Sequence, residues 1–530
     1  MSDEQKKLLE SQLWEIANIL RGKISANQFQ DYILGFIFYK YLSEKMDKYA
    51  NTILKSDAII YNSIDETSEN GLEVLSAVRE ASIDALGFFL KPSELFSNLA
   101  KKGNAKVLNE DDEEQIQSTF ILEELDTVLK NIEKSTMGTD SQDDFDNLFY
   151  DIDLNSGKIG RTTKDRNDVI VKILTALEEI DFDLDNTEGD VLGDAYEYLI
   201  AQFAAGAGQK AGEFYTPQQV STILAKIVTT KKTKLKSVYD PTCGSGSLLL
   251  RVAREVKEVA HFYGQEQNRT TYNLARMNMI LHDVNYHKFD IKHEDTLERP
   301  QHEDLKFEAI VANPPFSANW SANPLFSNDD RFSQYGRLAP KTKADFAFIQ
   351  HMVHHLDDNG IMACIAPHGV LFRGGAEGHI RQYLIEDSNY VDAIIGLPSN
   401  LFYGTSIPTC ILVLKKCREI PENILFIDAS NGFEKVKNQN VLLEEHIDKI
   451  ISTYQSREVL DKYSNVATLE EIKANDYNLN IPRYVNTFEE AESIDVNAVA
   501  DKIQSIDAKM AEVDKLIASF CGELNIKTPF

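Results

Sequence analysis

No two cysteines in this sequence stand close enough to make a C-x-x-C pair. The five present, Cys243, Cys364, Cys410, Cys417 and Cys521, are scattered and odd in number. Neither a disulfide framework nor a zinc site is expected, and reduced thiols in a cytoplasm are. Long hydrophobic runs are missing too. No apolar stretch approaches the roughly 20 residues of a membrane span, so no membrane partner is expected. The opening stretch Met1–Glu10 is polar and acidic, unlike a secretory signal. Positive charge is scarce: 55 Lys and Arg stand against 84 Asp and Glu, a net charge of −29. A wide, unaided grip on nucleic acid needs cations facing phosphates, so any such grip must be local or come from a partner. Solenoid repeats and low-complexity tracts are absent.

Glycine and period-two alternation are sparse in the first third. There Leu9, Leu13, Ile16 and Leu20 recur at helical spacing. Asp31–Met46 is apolar over a broad face and reads as a buried helix, and Thr119–Lys134 as an amphipathic one. Residues 1–150 carry 15 Lys and Arg against 28 Asp and Glu, and the run Glu110–Glu114 reads as a solvated loop or helix start. The polar, turn-rich stretch 151–166 marks a boundary. Beyond it, short apolar strands alternate with amphipathic stretches, at 236–240, 261–266, 288–295, 307–313, 360–367, 390–398 and 409–416. That alternation predicts an α/β fold with a mostly parallel, doubly wound sheet. Residues after about 430 read as helical and charged again. The expected domains are therefore an all-α region over 1–165, a catalytic α/β domain over 166–475 and a helical tail over 476–530.

Ser237–Val256 reads as strand, glycine turn, helix. Asp240 ends the strand, Gly244 and Gly246 let the backbone turn and approach a ligand, and Ser245 and Ser247 are suited to capping the helix. No Lys-Ser/Thr follows the glycines and the spacing is not G-x-G-x-x-G, so this is not a P-loop. The next strand ends in Glu266, 20 residues past Gly246, where an acid accepts hydrogen bonds from ribose hydroxyls. A nucleoside without pyrophosphate fits best, and S-adenosylmethionine is the foremost candidate. The bland alternative is a tight structural turn beside a surface glutamate.

Asn313-Pro314-Pro315-Phe316 closes the fourth strand at the same crevice. Two prolines forbid a continued ladder. An exocyclic amine of a base is a poor nucleophile because its lone pair is delocalised into the ring. Acceptors aimed at both its N–H groups favour the localised lone pair, and the Asn313 side-chain oxygen and the rigidly held Pro314 carbonyl are such acceptors. Phe316 can stack on a base swung out of a duplex. Residues 311–320 hold no cysteine, so the Pro-Cys nucleophile of cytosine-C5 chemistry is missing.

Asp240–Ser247 resembles motif I of the amino-group DNA methyltransferases, and Asn313–Phe316 resembles their catalytic motif IV. Gly212–Leu224 resembles their motif X, here lying before motif I, which is the gamma-class order of adenine-N6 enzymes. With its helical first third, nearly the whole chain is similar to the modification subunit of type I restriction–modification systems. The resemblance implies the S-adenosylmethionine-dependent methyltransferase fold and methyl transfer to adenine N6. It implies that Glu213, Phe214, Tyr215, Thr216, Pro217 and Gln218 line the methionine side of the cofactor. Asp240 and Gly244 to Ser247 would hold its backbone, Glu266 its ribose, and Asp295, ending the third strand, its adenine; a helix-capping role is the other reading of Asp295. Independently, Thr216-Pro217 before a periodic apolar run reads as an N-cap followed by Pro at the first helical position. Implied partners are double-stranded DNA with the adenine flipped out, a specificity subunit that reads the target, a restriction subunit, and two copies of this chain per complex. The rivals are a self-sufficient adenine methyltransferase, a glutamine-N5 protein methyltransferase (usually Tyr where Phe316 stands) and a catalytically idle scaffold.

In the tail, Val496, Val499, Ile503, Ile506, Met510, Val513, Ile517 and Phe520 recur at steps of three and four, the 3.5-residue period of a coiled-coil seam. The seam either packs on the chain's own catalytic domain or docks on another chain's helices, and the resemblance favours the second.

Overall fold

The apolar runs of the middle region form the centre of a nine-stranded sheet. In chain order the strands are β1 (Lys234–Asp240), β2 (Glu258–Glu266), β3 (Phe289–His293), β4 (Phe307–Ala312), β5 (Leu356–Pro367), β6 (Val391–Gly396), β7 (Thr409–Lys415), β8 (Asn423–Asp428) and β9 (Ser464–Thr468). Across the sheet they run β9-β8-β6-β7-β5-β4-β1-β2-β3. β7 lies antiparallel between β5 and β6, β9 is antiparallel to β8, and the other pairings are parallel. Continuous apolar runs are what a sheet covered on both faces requires. β6 is buried at every position, and β4 and β7 at all but one. The computed structural model describes residues 3–19, 26–104, 106–108, 114–116, 119–182, 184, 190–206, 215–437, 439–487 and 495–530.

Residues 1–485 form one compact unit and 486–530 a second. In the first, the helices before the sheet are α1 (Asp3–Ile19), α2 (Ala26–Ile53), α3 (Glu69–Leu86), α4 (Leu122–Ser135), α5 (Thr163–Glu178) and α6 (Val191–Gly206). α2 is buried without a break from Tyr32 to Ser43, as its all-round apolar character demands. Its Tyr41 hydroxyl donates to the Ile280 carbonyl at 2.9 Å, tying it to the helix Arg269–Leu281 of the α/β part. Interleaved with the strands are α7 (Gln218–Val228), α8 (Ser247–Glu255), α9 (Arg269–Leu281), α10 (Asp345–His355) and α11 (Glu444–Ser456). The second unit is built on α12 (Val496–Glu523), whose hydrophobic seam is exposed along most of its length. No helix among the described residues is long and apolar enough to cross a membrane.

Three expectations need correction. The stretch after Lys416 is not purely helical: β8, β9 and an antiparallel ribbon of Glu434–Val436 with Gln439–Val441 lie there. These strands are short, and their polar flanks dilute the apolar signal. Three-residue strands Lys106–Leu108 and Glu114–Ile116 interrupt the helical first third, each too short to show alternation. Of the acidic run, Glu114 therefore opens a strand, while residues 110–113 lie outside the described residues. Leu20 also lies outside them.

Candidate active site

The strand order reverses between β1 and β4, and a doubly wound sheet opens a crevice beyond its carboxyl ends at that point. The glycine turn leaves β1 there. Gly244 and Gly246 have φ of +55° and +76°, a region that other residues rarely adopt. A Cβ on Gly246 would come no nearer than 3.6 Å to Ala275, so conformation rather than space requires glycine. Gly246 itself is the N-cap of α8. Ser245 and Ser247 thus do not cap the helix as expected. Their hydroxyls pair at 2.9 Å, and buried Asn278 of α9 donates to the Ser245 carbonyl at 2.9 Å.

Across the turn, the Glu266 carboxylate accepts hydrogen bonds from the Gly244 N–H at 3.1 Å and the Asn268 N–H at 2.7 Å. Burial raises its proton affinity, and those backbone bonds oppose the rise. Asp240 is 2% exposed and accepts from the Thr242 N–H at 2.9 Å. Burial pushes its carboxyl up to about 7. A cavity of about 770 Å³ opens beside them, lined by Glu266, Asn268, Asp295, Pro315 and Trp320, and by Asp31 of α2 on its far side. Asp295 lies two residues beyond the end of β3 rather than closing it. Its Oδ1 accepts from the Leu297 and Glu298 N–H groups at 2.9 and 3.1 Å. The capping geometry and the cavity wall thus belong to the same side chain.

Asn313 leaves β4 into a smaller recess shared with Tyr215, Thr216, Asp240 and Gly244. Its Nδ2 donates to the Thr216 hydroxyl at 3.1 Å, while its Oδ1 is buried without a partner among the described residues. The Thr216 hydroxyl is therefore occupied, and Pro217, not Thr216, is the N-cap of α7, one residue later than expected. Pro314 is buried, and Phe316 is half-buried with its ring edge-on to Phe402 at 5.8 Å and 80°. Buried Tyr215 lies against Tyr403 at 6.1 Å. Pro217 and exposed Gln218 line a separate surface groove. Glu213 and Phe214 lie outside the described residues.

Several supporting residues escaped the sequence reading. Buried Asp345 of α10 accepts from the Ser317 N–H at 2.8 Å and from Arg373 at 3.1 Å, bracing the turn after Phe316. Asn278 braces the glycine turn. A polar residue amid the apolar face of Leu274–Leu281 was its one visible signal.

The chain has relatives among known proteins. The family model described as N-6 DNA Methylase matches residues 187–493, and that of the HsdM N-terminal domain matches 9–177. The chain is 38% identical to the type I restriction enzyme MpnII methylase subunit of Mycoplasma pneumoniae, over 99% of this chain and 97% of that one. It is 34% identical to the HindI methylase subunit of Haemophilus influenzae, over 61% of this chain and 74% of that one. The crystal structure of the type I restriction–modification methyltransferase subunit of Streptococcus thermophilus superposes with a TM-score of 0.81 at 42% identity. It covers 91% of this chain and 100% of its own.

Proposed function

The chain belongs to the N-6 DNA methylase family, among the methylase subunits of type I restriction–modification systems, and on that premise we propose how its crevice divides the work. It is an S-adenosylmethionine-dependent, adenine-specific DNA methyltransferase subunit. The crevice suits that cofactor: a positive-φ glycine cradle admits close backbone approach, and a carboxylate held by two N–H groups faces a nucleoside-sized cavity. The bound cofactor supplies an electrophilic methyl carbon. Gly244 to Ser247 and Asp240 hold its amino-acid portion, together with Glu213 to Thr216, while Pro217 and Gln218 on their separate groove stay outside it. Glu266 takes the ribose hydroxyls and Asp295 the adenine.

The observation that carries the catalytic reading is the unpartnered, buried Asn313 Oδ1. Leaving such an oxygen unbonded costs about 1–3 kcal/mol, a cost that an arriving N–H donor removes. Thr216 fixes the amide so that Oδ1 cannot turn away. Asn313 Oδ1 and the Pro314 carbonyl accept the two N–H bonds of a flipped adenine and localise its lone pair toward the methyl group. Phe316, backed by Phe402, offers its face to that base.

Target reading falls to a separate specificity subunit, reached through α12, with a restriction subunit joining and two copies of this chain per complex in the cytoplasm. The functional divisions are 1–165, 166–475 and 476–530. The test is co-purification with the specificity subunit, then nucleoside analysis of duplex DNA after incubation. N6-methyladenine formed only by the complex is expected, and formation by the lone chain points to self-sufficiency. With 2-aminopurine at the target position, fluorescence should rise on binding. Methylation of an adenine that stays stacked overturns the flipping step.

A further inference from the structure

We propose that the segment Arg337–Lys343 is a clamp for the DNA backbone beside the target base. The inference rests on the reading that duplex DNA docks over the Asn313 lip. The loop from Phe316 to α10 folds back on itself. The Trp320 N–H donates to the Lys341 carbonyl at 3.0 Å, and its indole N–H to the Pro340 carbonyl at 3.1 Å. The Ala344 N–H donates to the Ala318 carbonyl at 2.9 Å. Trp320 is 7% exposed, so this tie is part of the core. Residues 340–344 are thereby tied to 318–320, the stretch that follows the Asn313–Phe316 lip, and Trp320 and Ala344 themselves line the cavity.

That segment carries Arg337, Lys341 and Lys343 and no acidic residue. Among the described residues none of the three makes an ion pair or side-chain hydrogen bond; Arg337 and Lys341 are exposed, and Lys343 is half-buried within electrostatic reach of Glu377. A second lysine-rich run shows the contrast. Lys226 of α7, Lys231, Lys232 and Lys234, the first residue of β1, stand toward the amino end of that strand, away from the crevice at its carboxyl end. They pair with Glu255, Glu419, Glu308 and Glu258 at 4.0, 2.8, 2.9 and 2.6 Å. That stretch is more cationic in sequence but neutralised in the fold. The rim segment keeps its charge available where phosphates flanking an extruded adenine would pass. Partner-supplied base reading leaves this chain a need for backbone contacts only, and cations on a braced loop meet it.

The test uses the methylase–specificity complex with S-adenosylhomocysteine bound, on a duplex it methylates and on an unrelated duplex of the same length. Taking one cation away from a phosphate lowers the slope of log affinity against log salt by about 0.9. Arg337→Gln, Lys341→Gln and Lys343→Gln together should lower it by roughly 2.7, with affinity weakened equally on both duplexes. Arginine in place of glutamine at position 341 should restore about 0.9 of that slope. Cofactor affinity by calorimetry should stay within about twofold, since these side chains lie outside the cofactor residues. An unchanged slope overturns the clamp, and so does a weakening confined to the methylated duplex, which marks base reading. Should the triple variant lose cofactor binding, the exposed single Lys341→Gln decides by the same slope. A wild-type complex that fails to methylate DNA would instead refute the catalytic reading.

Discussion

Asn313 does two jobs with one amide. Nδ2 is spent on Thr216, which leaves Oδ1 aimed and unsatisfied. Asn313→Ala removes an acceptor that matters most as charge develops in the transition state. Turnover should fall by about a hundredfold or more, while cofactor dissociation constants stay within a few-fold. Single-turnover kinetics beside calorimetry check this, and retained turnover refutes the assignment. At Gly246 the expected damage comes from backbone conformation. A left-handed position costs a non-glycine residue roughly 1–2 kcal/mol, most for a β-branched one. Gly246→Val should therefore weaken cofactor binding more than Gly246→Ala, for which the structure has room. Glu266→Ala removes charge-assisted hydrogen bonds worth about 1.5–3 kcal/mol, weakening affinity roughly ten- to a hundredfold. Equal dissociation constants for all of these would place the cofactor elsewhere. The candidate reacting residues stood out in the sequence because the proposed chemistry demands particular residue types in sequence order. Asn278, the Asp345–Arg373 pair and the bond between Asn313 and Thr216 were not, since each joins partners distant along the chain that spacing does not encode.

At the scale of elements, β1 to β7 were legible as apolar runs, plainest in β4, β6 and β7, where burial on both faces leaves the run almost unbroken. β8 and β9 were not, because a short edge pair with polar flanks looks like the helices around it. The tail helix shows the reverse case: its period was plain, its partner was not. Ile503 and Ile506 of α12 are 55% and 50% exposed. Ile503→Asp with Ile506→Asp should therefore leave the isolated chain's melting temperature unchanged. It should separate the chain from its specificity partner on gel filtration, because a seam stabilises only what it packs against. Two charges forced into a buried seam would cost several kcal/mol, so early melting of the isolated variant would return the stripe to ordinary core.

At the scale of the whole molecule, acidity has a pH consequence. Burial raises the carboxyls of Asp31, Asp144 and Asp240 to about 7. The folded chain thus keeps protons that the unfolded chain releases near pH 4. Stability from these groups is fullest at acid pH and declines as pH rises from about 4 to about 7. For Asp240 alone the rise corresponds to at most ~4 kcal/mol. Asp240→Asn should flatten the fall in melting temperature between about pH 4 and 7, and an unchanged fall would show that Asp240 ionises freely. The helical first third was legible as helices but not as part of the sheet's unit, because no periodicity reports which surface a buried helix faces. That union bears on synthesis. Tyr41 of α2 must wait for Ile280, 239 residues later, before its hydroxyl finds an acceptor. At about 5–20 residues per second, α2 emerges from the ribosome some ten to fifty seconds before α9 does. During that interval a helix that ends up buried without a break from Tyr32 to Ser43 has no finished surface to cover it. A nascent chain halted before α9 should be cut by protease within α2 or held by a chaperone, and one that has passed Leu281 should be protected.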